Sequence, residues 1–228
     1  MQRVERAVIL AAGLGTRLKW LTCKRPKALV PVAGQAAVVR VIRRLAGQGI
    51  RDIAINTHHH ADVLAASLGD GSRFGVRLYF SFETQLLDSG GGVRTALEFL
   101  PGDGLLAVHN VDVLSDIDVH ALAGVCPQHG CTIALTANPA HHPAGDFTLC
   151  DGLVCDEKAS RYTFSGVSVW DATVLSDFAI NQAFSLVQPM RELIEKQLCA
   201  GLLHRGSWFD IGRPGDYFRA GRELRRIE

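Results

Sequence analysis

An apolar run, Ala7-Val8-Ile9-Leu10-Ala11, leads directly into Ala12-Gly13-Leu14-Gly15-Thr16-Arg17-Leu18. Glycines placed after a strand let backbone N–H groups approach a phosphate closely, and Arg17 adds a charge-assisted donor for the same anion. Two better-known phosphate loops do not fit. A dinucleotide-binding turn needs a third glycine where Leu18 stands, and a Walker loop needs Gly-Lys-Ser/Thr where this chain reads Gly-Thr-Arg. Gly13 and Gly15 alone are also compatible with a plain strand-to-loop turn that holds no ligand. The same loop, however, continues into Lys24-Arg25-Pro26-Lys27-Ala28-Leu29-Val30-Pro31-Val32. Cations gathered beside a glycine turn repel one another unless an anion sits among them, so the two motifs together point to bound phosphate rather than to a solvated basic loop. Further on, Gly90-Gly91-Gly92 opens a helix at Val93, which gives the chain room to approach a ligand closely; a flexible helix entry is the plain alternative.

The elements that must position these residues follow an alternating pattern. Strand-like runs are Ala7–Ala11, Asp52–Asn56, Val76–Ser81, Leu105–Val108, Thr132–Ala137 and Ser165–Trp170, rich in β-branched or aromatic residues and closed by polar or glycine signals. Helical stretches lie between them at Gln35–Gln48, His60–Leu68, Gly92–Leu100 and Asp118–Val125. The first of these places Val38, Val41, Ile42 and Leu45 on one face. This βαβ alternation predicts an α/β fold with a mainly parallel central sheet flanked by helices. Two stretches break the pattern and read as long functional loops, Ala12–Gly34 and Asn138–Thr163. The end of the chain reads as a helix at Met190–Leu198, two short strands meeting near Ser207–Ile211, and a closing helix from Pro214. No repeat, low-complexity tract or charged linker marks a boundary, so residues 1–228 are expected to form a single domain.

Composition removes several function classes. With 24 Lys and Arg against 23 Asp and Glu, the net charge of +1 lacks the one-signed field that nucleic acid or an anionic membrane demands. A 47% hydrophobic chain of 228 residues has material for a full core without disulfides or structural metal. The apolar stretch Ala7–Ala12 is shorter than a signal-peptide core, and no transmembrane run is present, so a cytoplasmic protein with its six cysteines as reduced thiols is expected.

The motifs Leu10-Ala11-Ala12-Gly13-Leu14-Gly15-Thr16-Arg17-Leu18 and Pro26-Lys27-Ala28-Leu29-Val30-Pro31-Val32 together resemble the nucleotidyltransferases that make nucleotide sugars from a nucleoside triphosphate and a sugar 1-phosphate. The likeness runs on through Leu68–Gly75, Ser89–Gly92, Gly145-Asp146-Phe147, Phe164-Ser165-Gly166 and Trp208–Gly212. It is nearest to the short N-acetylmuramate-1-phosphate uridylyltransferase-like branch, a single Rossmann-like domain. Carried over by position, the resemblance implies that Ala11, Ala12, Gly13, Gly15, Thr16 and Arg17 hold the triphosphate and that Lys27 contacts phosphates at the reacting centre. It implies nucleotide contacts from Gly91 and Asn110, and acceptor contacts from Gly92, Asp146 and Gly166. Asp112 and Asp210 match the metal-binding pair, with Mg²⁺ as cofactor; Arg17, Lys27, Asp112 and Asp210 form the implied catalytic set. Sheet physics agrees, because ligands of open α/β sheets sit outside the carboxyl ends of strands and Mg²⁺ is commonly held by one or two carboxylates plus substrate phosphates. Either aspartate by itself is also a normal cap or turn residue.

Two departures stand out: Val111 occupies the place of a usual glycine before Asp112, and Trp20 that of a usual proline. A β-branched residue avoids positive φ, so the backbone at Val111 is expected to be extended. The implied partners are a triphosphate, UTP first, and a sugar 1-phosphate, N-acetylmuramate 1-phosphate first. The rivals are a cytidylyltransferase acting on phosphocholine or a phosphonate, and a non-catalytic nucleotide-sugar sensor of the same fold. His58-His59-His60 is better read as a helix start than as a metal site, because adjacent side chains diverge. The cysteines and histidines between Cys126 and Cys155 have spacing too loose for a zinc knuckle.

Overall fold

The computed structural model describes residues 3–23, 25–155 and 160–227. Lys24 and the side chain of Trp20 lie outside that description. The strands are β1 (Arg6–Leu10), β2 (Pro31–Val32), β3 (Gln35–Ala36), β4 (Asp52–Thr57), β5 (Arg77–Phe82), β6 (Leu105–Asn110), β7 (Val113–Ser115), β8 (Cys131–Thr136), β9 (Phe147–Cys150), β10 (Leu153–Cys155), β11 (Arg161–Asp171), β12 (Cys199–Leu203) and β13 (Trp208–Asp210). The helices are α1 (Lys19–Thr22), α2 (Ala37–Gly47), α3 (Ala61–Leu68), α4 (Asp88–Leu97), α5 (Val119–Gly124), α6 (Thr173–Ser176), α7 (Val187–Glu195) and α8 (Pro214–Ile227).

Nine strands form one sheet in the order β5-β4-β1-β6-β11-β8-β12-β10-β9, with β9 also pairing back to β11. From β5 to β6 every pairing is parallel. All six residues of β4 are buried, as a parallel strand covered on both faces requires. Beyond β6 the sheet is mixed: β11 runs antiparallel to both β6 and β8, while β12 is parallel to β8. Successive side chains of a strand point to opposite faces. Ala7 and Ile9 accordingly enter one core cluster with Val38, Val41, Ile42 and Leu45 of α2, while Val8 enters the other with Val93 and Ala96 of α4. Apart from the sheet, β7 and β13 pair as a two-stranded antiparallel ribbon, with Val113 opposite Asp210 and Leu114 opposite Phe209.

The sequence expectations differ from the structure in several places, among them the two closing strands, which do not meet, since β13 pairs with β7 while β12 pairs with β8 and β10. The helix expected from Gly92 begins at Asp88 and takes in all three glycines. Glycine is a poor helix former, yet a Cβ at Gly90 would lie 2.3 Å from the Phe184 ring, and one at Gly91 would lie 2.1 Å from the Gln182 carbonyl. Close packing therefore decides the residue type. The stretch Asn138–Thr163 is not a continuous loop, since β9, β10 and the start of β11 fall within it. Finally, not all cysteines are reduced: Cys150 and Cys155 form a disulfide with Cα atoms 6.4 Å apart, the β9–β10 hairpin pairing Cys150 with Leu153 and Cys155 with Thr148 so that the two cysteines are diagonal neighbours across it. Cys23, Cys126, Cys131 and Cys199 are free thiols.

Candidate active site

The carboxyl ends of β1, β4, β5 and β6 surround a cavity of about 460 Å³ whose lining includes Ala12, Gly13, Asn56, Glu83, Ser89 and Asn110. Its floor is a hydrogen-bond relay. The Ala11 amide donates to Asn56 Oδ1 at 2.6 Å, Asn56 Nδ2 donates to Glu83 Oε1 at 2.7 Å, and the Leu87 amide donates to Glu83 Oε2 at 3.1 Å. The strands thus fix the glycine loop to the start of α4 through two buried polar side chains. Burial pushes the Glu83 carboxyl above its ordinary value, against the opposing pull of the Leu87 and Asn56 donors.

Asn110 also lines a second cavity, of about 350 Å³, shared with Arg17, Asp112, Asp146, Gly166 and Asp210. Asp146 is held firmly: its Oδ1 meets His142 Nε2 at 2.9 Å and its Oδ2 accepts from the Phe164 amide at 2.8 Å. Gly166, at φ +83°, occupies the irregularity where the β11–β8 register shifts between Phe164 and Ser168. Trp208 Nε1 donates to the Ser165 carbonyl at 2.9 Å and ties β13 to that bulge. On the loop side, Gly15 has φ +62° and packs tightly, a Cβ there lying 3.0 Å from Thr22 Cγ2 and 3.1 Å from Lys27 Cβ. This brings the glycine turn against the lysine segment, and the Lys27 ammonium forms an ion pair with Asp112 Oδ2.

Asp112 and Asp210 are neighbours through the ribbon, with the Ile211 amide donating to the Asp112 carbonyl at 2.9 Å. Arg17 and Asp210 converge on Gly212, where a Cβ would come 2.8 Å from Asp210 Oδ1 and 3.2 Å from Arg17 Nη2. Among the described residues no three His, Cys, Asp or Glu side chains group as a complete metal cage. Two carboxylates facing one polar cavity, with no protein ligands to fill the remaining positions, suit a hard cation that shares its shell with phosphate oxygens and water. Mg²⁺ fits that donor set.

The structure thus brings Arg17, Asn110, Asp112, Asp146, Gly166 and Asp210 to one cavity, Ala12 and Gly13 to its neighbour, and Lys27 to Asp112. Thr16 lies exposed on the same loop, and Val111 avoids positive φ. The other three expected residues have neighbours within the protein. The Ala11 amide donates to Asn56 Oδ1. Gly91 turns its open side to the Gln182 carbonyl, and its amide donates to the Phe184 carbonyl at 3.1 Å. Gly92 is buried against Asn56 and Glu83, where a Cβ would lie 2.4 Å from Asn56 Nδ2 and 2.9 Å from Glu83 Oε1. Sequence reasoning passed over Asn56, Glu83 and His142. Asn56 lies near the carboxyl end of β4 and Glu83 immediately after β5, so the strand-end rule applied to every strand would have singled them out.

A family model described as nucleotidyl transferase matches residues 6–147. The N-acetylmuramate alpha-1-phosphate uridylyltransferase of Neisseria meningitidis serogroup B is 35% identical over 215 residues, covering 91% of this chain and 93% of that protein. The protein of the same name from Caulobacter vibrioides is 32% identical over 229 residues, covering 93% and 94%. In fold, the chain is similar to the crystal structure of HddC from Yersinia pseudotuberculosis complexed with GMP-PN, at a TM-score of 0.80 with 23% identity over 97% of this chain and 100% of that one. The chain belongs to the nucleotidyl transferase family, as a sugar-1-phosphate nucleotidyltransferase family enzyme.

Proposed function

We propose that the protein transfers a uridylyl group from UTP to N-acetylmuramate 1-phosphate, giving the nucleotide sugar and pyrophosphate. The observation that carries this reading is the meeting of the two cavities at Asn110, beside the Lys27–Asp112 pair and with Arg17 and Asp210 across from it. The base and acceptor follow from the two uridylyltransferase relatives, whose length this chain matches almost completely.

In this reading the first cavity takes the nucleoside, with its triphosphate along Gly13, Gly15, Thr16 and Arg17, and the second takes the sugar 1-phosphate. An oxygen of the acceptor phosphate attacks the α-phosphorus in line; the bond to the bridging β-phosphate oxygen breaks and pyrophosphate departs with that electron pair. Lys27 and Arg17 offset the charge that builds on the attacking and leaving oxygens, while Asp146, fixed by His142 and the Phe164 amide, holds a sugar hydroxyl. Enzymes of this family typically use Mg²⁺. Held by Asp112 and Asp210, it would neutralise phosphate charge and align the two substrates. We assign the chain to one domain and to the cytoplasm; no described helix is long and apolar enough to cross a membrane.

The test is pyrophosphate release with Mg²⁺ across the four triphosphates, each paired with several sugar 1-phosphates and with phosphocholine. Turnover only with UTP and N-acetylmuramate 1-phosphate supports the reading. Turnover with another pair reassigns the base or acceptor, and silence with every pair while UTP still raises the melting temperature points to an acceptor outside the panel or to a sensor.

A further inference from the structure

Behind the active site lies a separate cavity of about 250 Å³, walled by α2, the end of β6, the β7–β13 ribbon and α8. Its deepest polar group is His109, only 4% exposed and adjacent to Asn110 on β6. Asn110 faces the active-site cavities, so by strand alternation the His109 ring faces the opposite side. His109 Nδ1 lies 2.9 Å from the Asn110 carbonyl, which can only accept, so the proton sits on Nδ1. Nε2 is then an acceptor with no hydrogen-bond partner among the described residues, and it is not fully sealed from solvent. A buried lone pair open to a cavity calls for a donor from whatever fills it. Burial holds the imidazole pKa down at about 4, so the ring stays neutral and keeps that lone pair.

The rest of the wall describes the occupant. Val41, Leu114, Phe209 and Leu224 supply an apolar surface, and the exposed guanidinium of Arg44 stands at the rim. Arg44 Nη2 donates to the Asp116 carbonyl at 2.6 Å, and the residue has no carboxylate partner among the described residues. The Asp116 carboxylate itself is engaged by His204 Nε2 at 2.9 Å. The volume equals that of roughly eight waters, room for a hexose-sized molecule. We propose that this cavity is a second ligand site that takes a phosphorylated sugar, its hydroxyl donating to His109 Nε2, its C–H face against Phe209 and its phosphate at Arg44.

Occupancy reaches the reaction through the ribbon. Phe209 and Leu114 form the wall of this cavity, whereas Trp208 and Asp210, on either side of Phe209, line the acceptor cavity; Val113 borders both. A ligand pressing on Phe209 therefore bears on the strand that positions Asp210, and the site acts as an effector site rather than a second acceptor site.

The experiment follows the imidazole resonances of His109, assigned by their loss in His109→Gln, as glucose 6-phosphate or ribose 5-phosphate is added to the full chain. Neither carries an anomeric phosphate, so neither mimics the acceptor's reacting group; glucose and inorganic phosphate serve as half-ligands. Saturable shifts are expected with one of the sugar phosphates and not with either half-ligand at the same concentration. Arg44→Ala should weaken them about tenfold, ~1.4 kcal/mol, with basal turnover unchanged. Lys27→Met, which disables the active site, should leave them intact. At saturating substrates the same ligand should alter kcat several-fold in the wild type and not in Arg44→Ala. Unmoved resonances at millimolar ligand, shifts insensitive to Arg44→Ala, or shifts lost in Lys27→Met overturn the site; binding without any change in kcat overturns the coupling.

Discussion

The ammonium of Lys27 and the carboxylate of Asp112, 85 residues apart in sequence, form an ion pair at the wall of the second cavity, which Asp112 lines, with side chains 11% and 21% exposed. Each charge arrives from a different motif, one from the loop after β1 and one from the turn after β6. In the proposed reaction the pair would set a cation and a metal-type ligand beside the same phosphate.

Removing either partner exposes what the other is for. Lys27→Met and Asp112→Asn should each lower turnover on the order of 10²–10³-fold, the first by removing a cation from the reacting phosphates and the second by removing a carboxylate that would hold Mg²⁺ there. A double-mutant cycle on unfolding free energy should return a coupling of about 0.5–3 kcal/mol. Mg²⁺ with UTP should raise the melting temperature of the wild type and not of Asp112→Asn. An Asp112→Asn variant with full turnover would remove the metal assignment.

The relay from Ala11 through Asn56 to Glu83 predicts a second set of effects. Glu83→Ala leaves the Asn56 amide and the Leu87 N–H without acceptors in a buried place, costing about 1–3 kcal/mol. The pH dependence has a definite sign. The folded-state pKa of Glu83 lies above its ordinary 4.5, so its stabilisation is full below that value and is lost as pH rises through the elevated one. Glu83→Gln, which does not titrate, should show a smaller decline in melting temperature across that interval than the wild type. Equal slopes would mean that the carboxyl is not perturbed.

How far the sequence reached depends on what each residue answers to. The parallel half of the sheet was legible, because β1, β4 and β6 are apolar runs whose burial their own composition reports. Gly13, Arg17 and Lys27 were legible because chemistry fixes their type. What escaped was set by distant partners. The glycines of α4 look like a loop until Phe184 and Gln182 are seen pressing on them. Strand direction in β11 leaves no mark in a pattern of period two, and the Cys150–Cys155 link depends on a hairpin register that composition does not carry. Glu83 reads as an ordinary surface acid until Asn56 and Leu87 close around it.

At the edge of the sheet, Asp52 anchors β4 to β5. Its oxygens accept from Arg77 Nε at 2.7 Å and Nη2 at 2.6 Å, with the Tyr79 hydroxyl at 3.0 Å. The Arg77 hydrogen bonds, helped by Tyr79, outweigh burial and hold the carboxyl below its ordinary 3.8. A depressed carboxylate stabilises the fold above its unfolded-state pKa, and that contribution vanishes as pH falls through the lower folded-state value. The wild type should therefore lose melting temperature more steeply than Asp52→Asn as pH falls from the ordinary 3.8 through the lower folded-state value, with the variant less stable near neutrality. A variant as stable as the wild type near neutrality would show that solvent screening of the exposed arginine cancels the pair.

Two glycine substitutions separate backbone strain from ligand contact. Gly166 sits at φ +83°, and an alanine Cβ there would lie 2.7 Å from Asn110 Nδ2 and 3.0 Å from Val113 Cγ2. Gly166→Ala should destabilise the fold by about 1–2 kcal/mol through left-handed strain alone. Because it also displaces Asn110, which borders both cavities, it should raise KM for nucleotide and acceptor together. Gly13 is different: it has no positive φ, and a Cβ there meets nothing within 4 Å. Gly13→Ala should leave stability within about 0.5 kcal/mol of the wild type. Its added methyl nevertheless projects where the loop meets the nucleotide, so KM for the triphosphate should rise while KM for the acceptor stays put. Equal shifts in both constants, or none in either, would take Gly13 out of the phosphate site and leave it as a turn residue.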